Sequence, residues 1–274
     1  MTYEVDQITF EVIKNALGTL ADEMALVIMR TAYSEVLRDT MDYSTAMCDA
    51  NGRFVAQGLT NPIHLGSFPD AMRRLVEEHN ETTQRGDVFI FNDPYGSGGM
   101  HLPDIFIVRP VFVATELVGF AATLGHQADI GGIAPGGMAL YATEIYQEGL
   151  RIPLMKLYDQ GRPNVTMFQI LEKNVRVPDK VLGDIRAMLA ASASGEKGLE
   201  QLVQRHGINN FKECVEALHD HAEQLMRSEI AALPDGVYEF EDWLDGLGDA
   251  PEPVRFKVAI TIKGEELNIN WGGS

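Results

Sequence analysis

The chain has 274 residues, 45% of them hydrophobic, so it can bury a sizeable core in one or two domains. A formal net charge of −18 argues against nucleic acid as a partner, because phosphate backbones are bound by clustered Lys and Arg. The two cysteines, Cys48 and Cys214, form no CxxC motif, which argues against a disulfide framework and a cysteine zinc site. No membrane span is predicted, because Arg109 and Glu116 interrupt the one apolar window, 105–125. The N-terminus lacks a signal-peptide pattern, so we expect a cytoplasmic protein.

The first third of the chain predicts a long helix followed by short strands. Apolar residues recur at helical spacing from Gln7 to about Leu37, with acidic residues on the opposite face. This pattern is typical of an amphipathic helix that packs against a core or a subunit. Residues 42–49 and 54–56 have strand patterns, and the turn residues between them predict a β-hairpin. The continuous apolar run 88–91 predicts a buried strand.

A second helix is predicted between these strands. Ser67 and Asp70 have the spacing of a capping box, and the helix is expected to continue to about His79. His64 lies just before the cap. A lone histidine in that position is more often a hydrogen-bonded structural residue than a ligand, although it can also contact a substrate.

The stretch 92–132 contains the strongest candidates for functional residues. It begins with a glycine-rich loop that has no following Lys-Ser/Thr and is therefore not a nucleotide P-loop. We interpret this loop as a turn that lets the backbone approach a metal or a substrate. Two His-x-x-Asp sequences follow, from His101 to Asp104 and from His126 to Asp129.

The spacing of these residues predicts that three of them converge. Two apolar runs, 105–113 and 117–124, flank a three-residue polar loop and predict a β-hairpin. In that register Asp104 lies opposite His126, and opposed residues hold their Cβ atoms about 4.5–5.5 Å apart. His101 arrives from the loop just before the first strand. A two-residue loop would instead shift the register by one residue and weaken the prediction.

Two imidazoles and a carboxylate leave coordination positions open, as in catalytic rather than structural metal sites. A bound water would be the nucleophile, since zinc can lower its pKa to about 7. Asp129, three residues after His126, could orient that imidazole or act as a general base, with Glu144 and Glu148 as weaker candidates. The polar loops over residues 134–153 could form the walls of a substrate site or be solvated connections. His-x-x-Asp pairs are also common as hydrogen-bonded structural caps, so spacing alone does not decide between a cap and a metal site.

The remainder of the chain predicts helices and then strands. A helix begins near Pro178, a small-residue break is expected at 190–198, and two further helical segments extend to about Leu233. Alternation from Gly236 predicts a β-meander. The expected class is α+β, with a long N-terminal helix, a mixed or antiparallel sheet with β-hairpins, a helical segment and a C-terminal β-meander. We expect a metal-bearing core over 1–190, a helical segment over 191–233 and the start of a truncated β-domain over 234–274.

Long motifs occur along the chain in a fixed order: MRTAYSEVLRDTMDYSTAMCDANGRFVAQ, HLGSFPDAM, GDVFIFNDPYGSGGMHLPD, GHQADIGG and TEIYQEGLRIP. Together they resemble the N-terminal half of the hydantoinase B/oxoprolinase family, and the resemblance extends from Asp6 over nearly the whole chain. The family also includes the metal-bearing subunits of acetone and acetophenone carboxylases. Its members are typically much longer, so we expect a fragment or a split subunit.

The resemblance implies a subunit that works with a hydantoinase A-like partner, which uses ATP to phosphorylate the carbonyl oxygen of a lactam, a hydantoin or a ketone-derived enolate. It assigns metal binding to His101, Asp104 and His126, with zinc or manganese as the metal. Gln127 stands where many relatives have a second histidine, which puts a fourth nitrogen ligand in question. We expect a hetero-oligomeric amidohydrolase acting on a partner-phosphorylated lactam or cyclic imide. The alternatives are the metal-bearing subunit of an ATP-dependent ketone carboxylase and a non-catalytic assembly module.

Overall fold

The computed structural model describes residues 6–246 and 251–274. It has the predicted α+β class, with two antiparallel sheets and six α-helices in these residues. The helices are α1 (Gln7–Thr31), α2 (Glu35–Arg38), α3 (Phe68–His79), α4 (Val165–Asn174), α5 (Pro178–His206) and α6 (Ile208–Ala231). The strands are β1 (Tyr43–Asp49), β2 (Phe54–Gln57), β3 (Val88–Phe91), β4 (Asp104–Val113), β5 (Glu116–His126), β6 (Met155–Asp159), β7 (Arg162–Pro163), β8 (Gly236–Leu244), β9 (Val254–Lys263) and β10 (Glu266–Asn270).

The large sheet has seven strands in the order β2-β1-β5-β4-β3-β6-β7, and each recorded pairing is antiparallel. Helix α3 packs on one face, where Phe68, Met72 and Leu75 join a buried cluster with aromatic residues of β3 and β4. Helices α1 and α5 contact each other and the strands, and α5 contacts β4 and β5. A sheet between two helical layers explains why β4 and β5 are apolar along nearly their whole length.

Helix α1 ends earlier than predicted. It stops at Thr31, and Ala32 is extended with ψ of 146°. The backbone N–H groups of Tyr33 and Ser34 donate to the buried Asp184 carboxylate of α5, which replaces the helical hydrogen bonds these residues would otherwise make. A carboxylate distant in sequence therefore divides the predicted helix into α1 and α2.

The predicted break at 190–198 is wrong, because this segment lies inside α5. Its small residues allow close packing against α1. A Cβ added to Gly195 would lie 2.4 Å from the Met24 sulfur, and one added to Gly198 would lie 2.2 Å from a Leu20 methyl. Glycine is needed here for helix contact rather than for a turn. The predicted boundary between residues 190 and 191 falls within this helix.

The hairpin of β4 and β5 is present, but its predicted three-residue loop is wrong. Val113 pairs with Glu116, so Ala114 and Thr115 form a two-residue turn. Ala114 has a φ of 52°, in the left-handed region that such turns require. Taken alone, this shorter turn would move every partner along β5 by one residue.

A β-bulge in β5 restores the predicted register. Val118 is an extra residue between the partners of positions 111 and 112, where the pairing register shifts. It adds back the residue that the shorter turn removes. Asp104 therefore pairs with His126, and this prediction is confirmed.

The chain divides into two compact units. The first extends to Ala139 and includes Glu144–Val215, and the second comprises Leu140–Thr143 and Glu216–Ser274. The second unit contains the predicted β-meander, as a three-stranded sheet in the order β10-β9-β8. None of the helices in the described residues is both long and apolar enough to cross a bilayer.

Candidate metal centre

Polar residues from neighbouring strands meet at one end of the large sheet. Asp104 is the first residue of β4, and His126, directly opposite, is the last residue of β5. The N–H of His126 donates to the carbonyl of Asp42, which immediately precedes β1. Opposed residues of an antiparallel pair project to the same face, so the Asp104 and His126 side chains lie on the face that also holds Phe106 and Leu124, the α3 side.

His101 completes a group of three with Asp104 and His126. The Asp104 N–H donates to the His101 carbonyl at 3.1 Å, and this turn folds His101 back over the strand end. His101 Nε2 lies 2.9 Å from Asp104 Oδ1 and 3.1 Å from His126 Nδ1, while His126 Nδ1 lies 3.3 Å from the same carboxylate oxygen. The predicted three residues are thus brought together.

Side-chain chemistry in this group fits a metal ion. Asp104 is fully buried, and its Oδ2 has no hydrogen-bond partner among the described residues. Such an oxygen is costly to bury unless a proton donor or a cation satisfies it. The three separations are also close to the roughly 3.3 Å between ligands of a tetrahedral ion with bonds of about 2.0–2.1 Å. Neutral imidazoles and one carboxylate form a common donor set for such ions.

The charges of the three groups are coupled. The hydrogen bond with Asp104 raises the pKa of His101, although burial opposes this shift. Burial raises the pKa of Asp104, but the hydrogen bonds with His101 and His126 outweigh burial and leave that pKa below its ordinary value. The carboxylate is therefore ionised at neutral pH, and its negative charge favours the protonated form of His101.

Two further residues border the group, and sequence reasoning had not assigned either to it. Asp42 Oδ2 lies 3.8 Å from His126 Nδ1, and Asp42 Oδ1 lies 3.4 Å from His64 Nε2. His64 is almost fully buried, and burial lowers its pKa. The other ring nitrogen of His64 lies 3.0 Å from the hydroxyl oxygen of Ser44 in β1. His64 is thus a hydrogen-bonded buried residue, as expected, that also faces the carboxylate beside the candidate centre.

The predicted cap of α3 is wrong in its chemistry. Ser67 occupies the N-cap position, but its side chain makes no cap hydrogen bond. Its hydroxyl donates instead to the His64 carbonyl at 2.7 Å. Ser67 therefore fixes the turn that carries His64, while α3 begins at Phe68 and ends at His79.

Asp129 lies in a different environment from the group of three formed by His101, Asp104 and His126. Its buried carboxylate accepts hydrogen bonds from the backbone N–H groups of Gly131, Gly136 and Arg176 and from the Arg176 guanidinium. Burial acts to raise the pKa of Asp129, but these hydrogen bonds lower it overall. The structure records no contact between Asp129 and His126 among the described residues. The carboxylate instead organises the loop that follows β5.

The other predicted acids and Gln127 occupy three different environments. Glu144 is exposed. Glu148 is partly buried and lies close enough to His101 for its charge to raise the pKa of that imidazole. The Gln127 amide donates to the Gly125 carbonyl and contacts a methionine of α5, so its side chain is directed into the core. It does not supply a ligand atom to the group of three.

The glycine-rich loop before His101 approaches helix α3. Gly98 has a φ of 82°, and a Cβ there would lie 2.7 Å from the Ala71 backbone nitrogen. Ser97 donates to the Asp93 carbonyl through both its N–H and its hydroxyl. The close approach at Gly98 is therefore to a helix, and the loop is a folded turn that leads to His101.

Comparison with known proteins places these features in a wider context. The hydantoinase B/oxoprolinase family model matches residues 6–274. The caprolactamase subunit beta of Pseudomonas jessenii is 36% identical over 97% of this chain and 45% of its own length. The 5-oxoprolinase of Dictyostelium discoideum is 28% identical over 100% of this chain and 22% of its own length. The chain spans about half the length of the first curated relatives it matches, or less.

Solved structures agree with this comparison. The crystal structure of the ATP-dependent caprolactamase from Pseudomonas jessenii superposes with a TM-score of 0.92, at 35% identity, over 97% of this chain and 46% of that chain. A nucleotide-free acetone carboxylase structure superposes with a TM-score of 0.91 over 98% of this chain and 37% of that chain. Its identity is only 19%, so it establishes a shared fold alone.

Proposed function

The chain belongs to the hydantoinase B/oxoprolinase family, and from this premise we propose that it forms the metal-bearing part of an ATP-dependent amidohydrolase that opens a lactam or cyclic imide. The observation that carries the proposal is the convergence of His101, Asp104 and His126: one carboxylate oxygen of Asp104 contacts both imidazoles, and the other is buried without a hydrogen-bond partner among the described residues. A scaffold would have no need of this costly arrangement.

His101, Asp104 and His126 would hold a zinc or manganese ion, with Asp42 placed beside them to add an oxygen ligand. A bound ion of this kind supplies a hydroxide at neutral pH and polarises a carbonyl oxygen. Asp104 is fully buried, which fixes its carboxylate and keeps water from its Oδ2. The protein thereby positions the donors before substrate arrives.

Proton transfer requires a base near the centre, and Glu148 suits this role best of the three predicted acids. It is partly buried and close enough to raise the pKa of His101. Glu144 is exposed, and the hydrogen bonds that Asp129 accepts occupy both of its carboxylate oxygens. Glu148 would accept the proton that the water loses when it becomes the hydroxide that attacks the carbonyl carbon.

The names of the relatives support the reaction class. A caprolactamase and a 5-oxoprolinase both act, by name, on cyclic amides, and the solved caprolactamase is described as ATP-dependent. An unstrained amide is a poor electrophile, so phosphorylation of its oxygen by ATP would create a leaving group and an attackable carbon. The designation "subunit beta" in the caprolactamase supports a separate partner. We propose that a hydantoinase A-like subunit performs the phosphorylation and forms a hetero-oligomer with this chain.

Turnover by the complex with the ATP-using partner tests this proposal. Hydantoins, 5-oxoproline, caprolactam and simple ketones would be offered with ATP, in the presence and absence of bicarbonate. We expect ATP-dependent ring opening of a cyclic amide that needs no bicarbonate. Ketone consumption that depends on bicarbonate would instead identify a carboxylase, and a complex that turns over no substrate and contains no metal would indicate an assembly module.

Metal affinity is expected to depend on pH in a defined direction. Metal binding requires a neutral imidazole, and the hydrogen bond with Asp104 raises the pKa of His101 above 6.5. Below that raised pKa a proton competes with the metal, so apparent affinity should rise by up to about tenfold per pH unit until the pKa is passed. Competitive titration with a chromophoric chelator between pH 5.5 and 8.5 measures this. Affinity that is flat or falls with rising pH would contradict it.

A further inference from the structure

An arginine lies on the same sheet end as the metal centre, two strands away. Asp93 follows β3 by two residues, at the strand end where Phe91 pairs with Phe106, and Phe106 is two residues after Asp104 in β4. Arg151 approaches from the segment before β6, and its Nε lies 3.1 Å from Asp93 Oδ2. Adjacent strands are about 4.7–4.9 Å apart, so the Asp93 and Arg151 pair lies within the span of a small substrate from Asp104.

The guanidinium of Arg151 is held on one side and open on the other. Nε faces Asp93, and the guanidinium carbon lies 6.0 Å from the centre of the Tyr146 ring. No other acidic side chain in the described residues forms an ion pair with Arg151. Its side chain is 40% exposed. The two terminal nitrogens are thus available to a ligand, in the fork geometry that matches carboxylate and phosphate oxygens.

The Asp93 carboxylate that pairs with this arginine is itself held by its surroundings. Asp93 is buried and accepts a hydrogen bond from the Tyr95 N–H, and a Cβ on Gly96 would lie 2.7 Å from its Oδ2. The glycine-rich loop therefore leaves room for this carboxylate. A surface ion pair that served only stability would contribute little and would not require such a buried anchor.

Asn92 links the arginine segment to the metal loop. Its side-chain oxygen accepts from the Ile152 N–H at 2.6 Å, and its side-chain nitrogen donates to the carbonyls of Leu150 and Leu102. Leu150 and Ile152 flank Arg151, and Leu102 immediately follows His101. One buried amide thus ties the backbone on both sides of the arginine to the turn that presents a metal ligand.

We propose that Arg151 binds the oxyanion of the substrate, namely the phosphoryl group that ATP places on the carbonyl oxygen. This inference rests on the proposed function. A phosphorylated carbonyl carries its anionic group one atom from the carbon that water attacks, so an arginine at the same end of the sheet as the metal ligands is placed to meet the phosphoryl oxygens. Arg176, between α4 and α5, instead uses its guanidinium to hold Asp129 and three loop carbonyls. A product carboxylate has the same bidentate chemistry and is distinguished below.

Calorimetric titration of the metal-loaded protein with inorganic phosphate and, separately, with acetate tests the assignment. The variants are Arg151→Met, which keeps the length of the side chain without its charge, and Arg151→Lys, which keeps the charge without the fork. Arg73→Met is the matched control, because Arg73 is an exposed arginine paired with acidic residues on α3. We expect phosphate to bind about tenfold or more weakly to Arg151→Met, with Arg151→Lys intermediate and Arg73→Met unchanged.

The pattern across the two anions decides the outcome. A loss of phosphate affinity that exceeds the loss of acetate affinity supports the phosphoryl group, whereas a loss for acetate alone would overturn that choice in favour of the product carboxylate. Equal phosphate affinity in wild type and Arg151→Met overturns the inference. Metal content is measured on every sample and separates this result from the proposed function. If the complex lacked ATP-dependent turnover while phosphate binding depended on Arg151, the proposed function would fail and Arg151 would remain a phosphate-binding residue.

Discussion

Replacement of Asp104 with asparagine is expected to abolish stoichiometric metal binding. The substitution removes the negative charge of a fully buried ligand and replaces one carboxylate oxygen with an amide nitrogen that cannot coordinate. Changes in residues that merely support ligands reduce metal affinity about 10–100-fold, so loss of a ligand should exceed that range. His101→Ala and His126→Ala should act in the same direction. Elemental analysis of the purified, folded protein after dialysis against a weak chelator measures the effect.

An exposed aspartate provides the matched control for this experiment. Asp70→Asn removes a charge from the surface of α3, where the side chain is 72% exposed and pairs with Arg73. It should leave metal content unchanged. If all three ligand variants retained the wild-type metal stoichiometry, the assignment of the centre to His101, Asp104 and His126 would be wrong.

Replacement of Asp129 with alanine is expected to destabilise the protein by on the order of 3–5 kcal/mol. The change leaves the N–H groups of Gly131, Gly136 and Arg176 without their acceptor and unpairs the Arg176 guanidinium. The hydrogen bonds lower the pKa of Asp129, so this stabilisation is fully present above the ordinary value of 3.8 and is lost as pH falls through the lower folded-state value. Chemical denaturation of wild type and variant at pH 7 and at pH 3 measures both the size and the pH dependence.

Two further variants separate a structural role from a catalytic one. Asp129→Asn keeps one acceptor oxygen and should recover part of the stability. Glu144→Ala changes an exposed acid and should alter stability by less than about 0.5 kcal/mol. If Asp129→Ala folded with wild-type stability yet lost turnover in the complex, Asp129 would be a catalytic base after all.

The triad could be predicted from the sequence because its residues are close in the chain and joined by one hairpin. The antiparallel pairing of β4 and β5 places Asp104 and His126 opposite each other on the same side of the sheet, even though the predicted turn length was wrong. Two local deviations cancelled, since the shorter turn and the bulge at Val118 differ by one residue in opposite directions. The pairing of Asp104 with His126 was therefore predicted correctly although the predicted turn length was wrong.

Contacts between distant segments could not be predicted in the same way. Asp42 borders the centre because β1 pairs with β5. The order of strands in a sheet cannot be predicted from the local pattern of apolar residues. Asp129 and Arg176 are paired through a loop whose path depends on tertiary packing. An acidic residue directly before a buried strand, as Asp42 is, is the one local signal that could have identified the first of these.

Val118, the extra residue in β5, lies near the turn of the hairpin, at the end away from Asp104 and His126. If Val118 were deleted, Leu117 and Gly119 would become consecutive partners of consecutive β4 residues, and the ladder would be regular up to Asp104 and His126. A deletion between Gly119 and His126 would not be compensated by the bulge, and it would move the imidazole of His126 to the opposite face of the sheet. The tip of this hairpin is therefore a segment where natural or engineered length variation can accumulate without disturbing the centre at its other end.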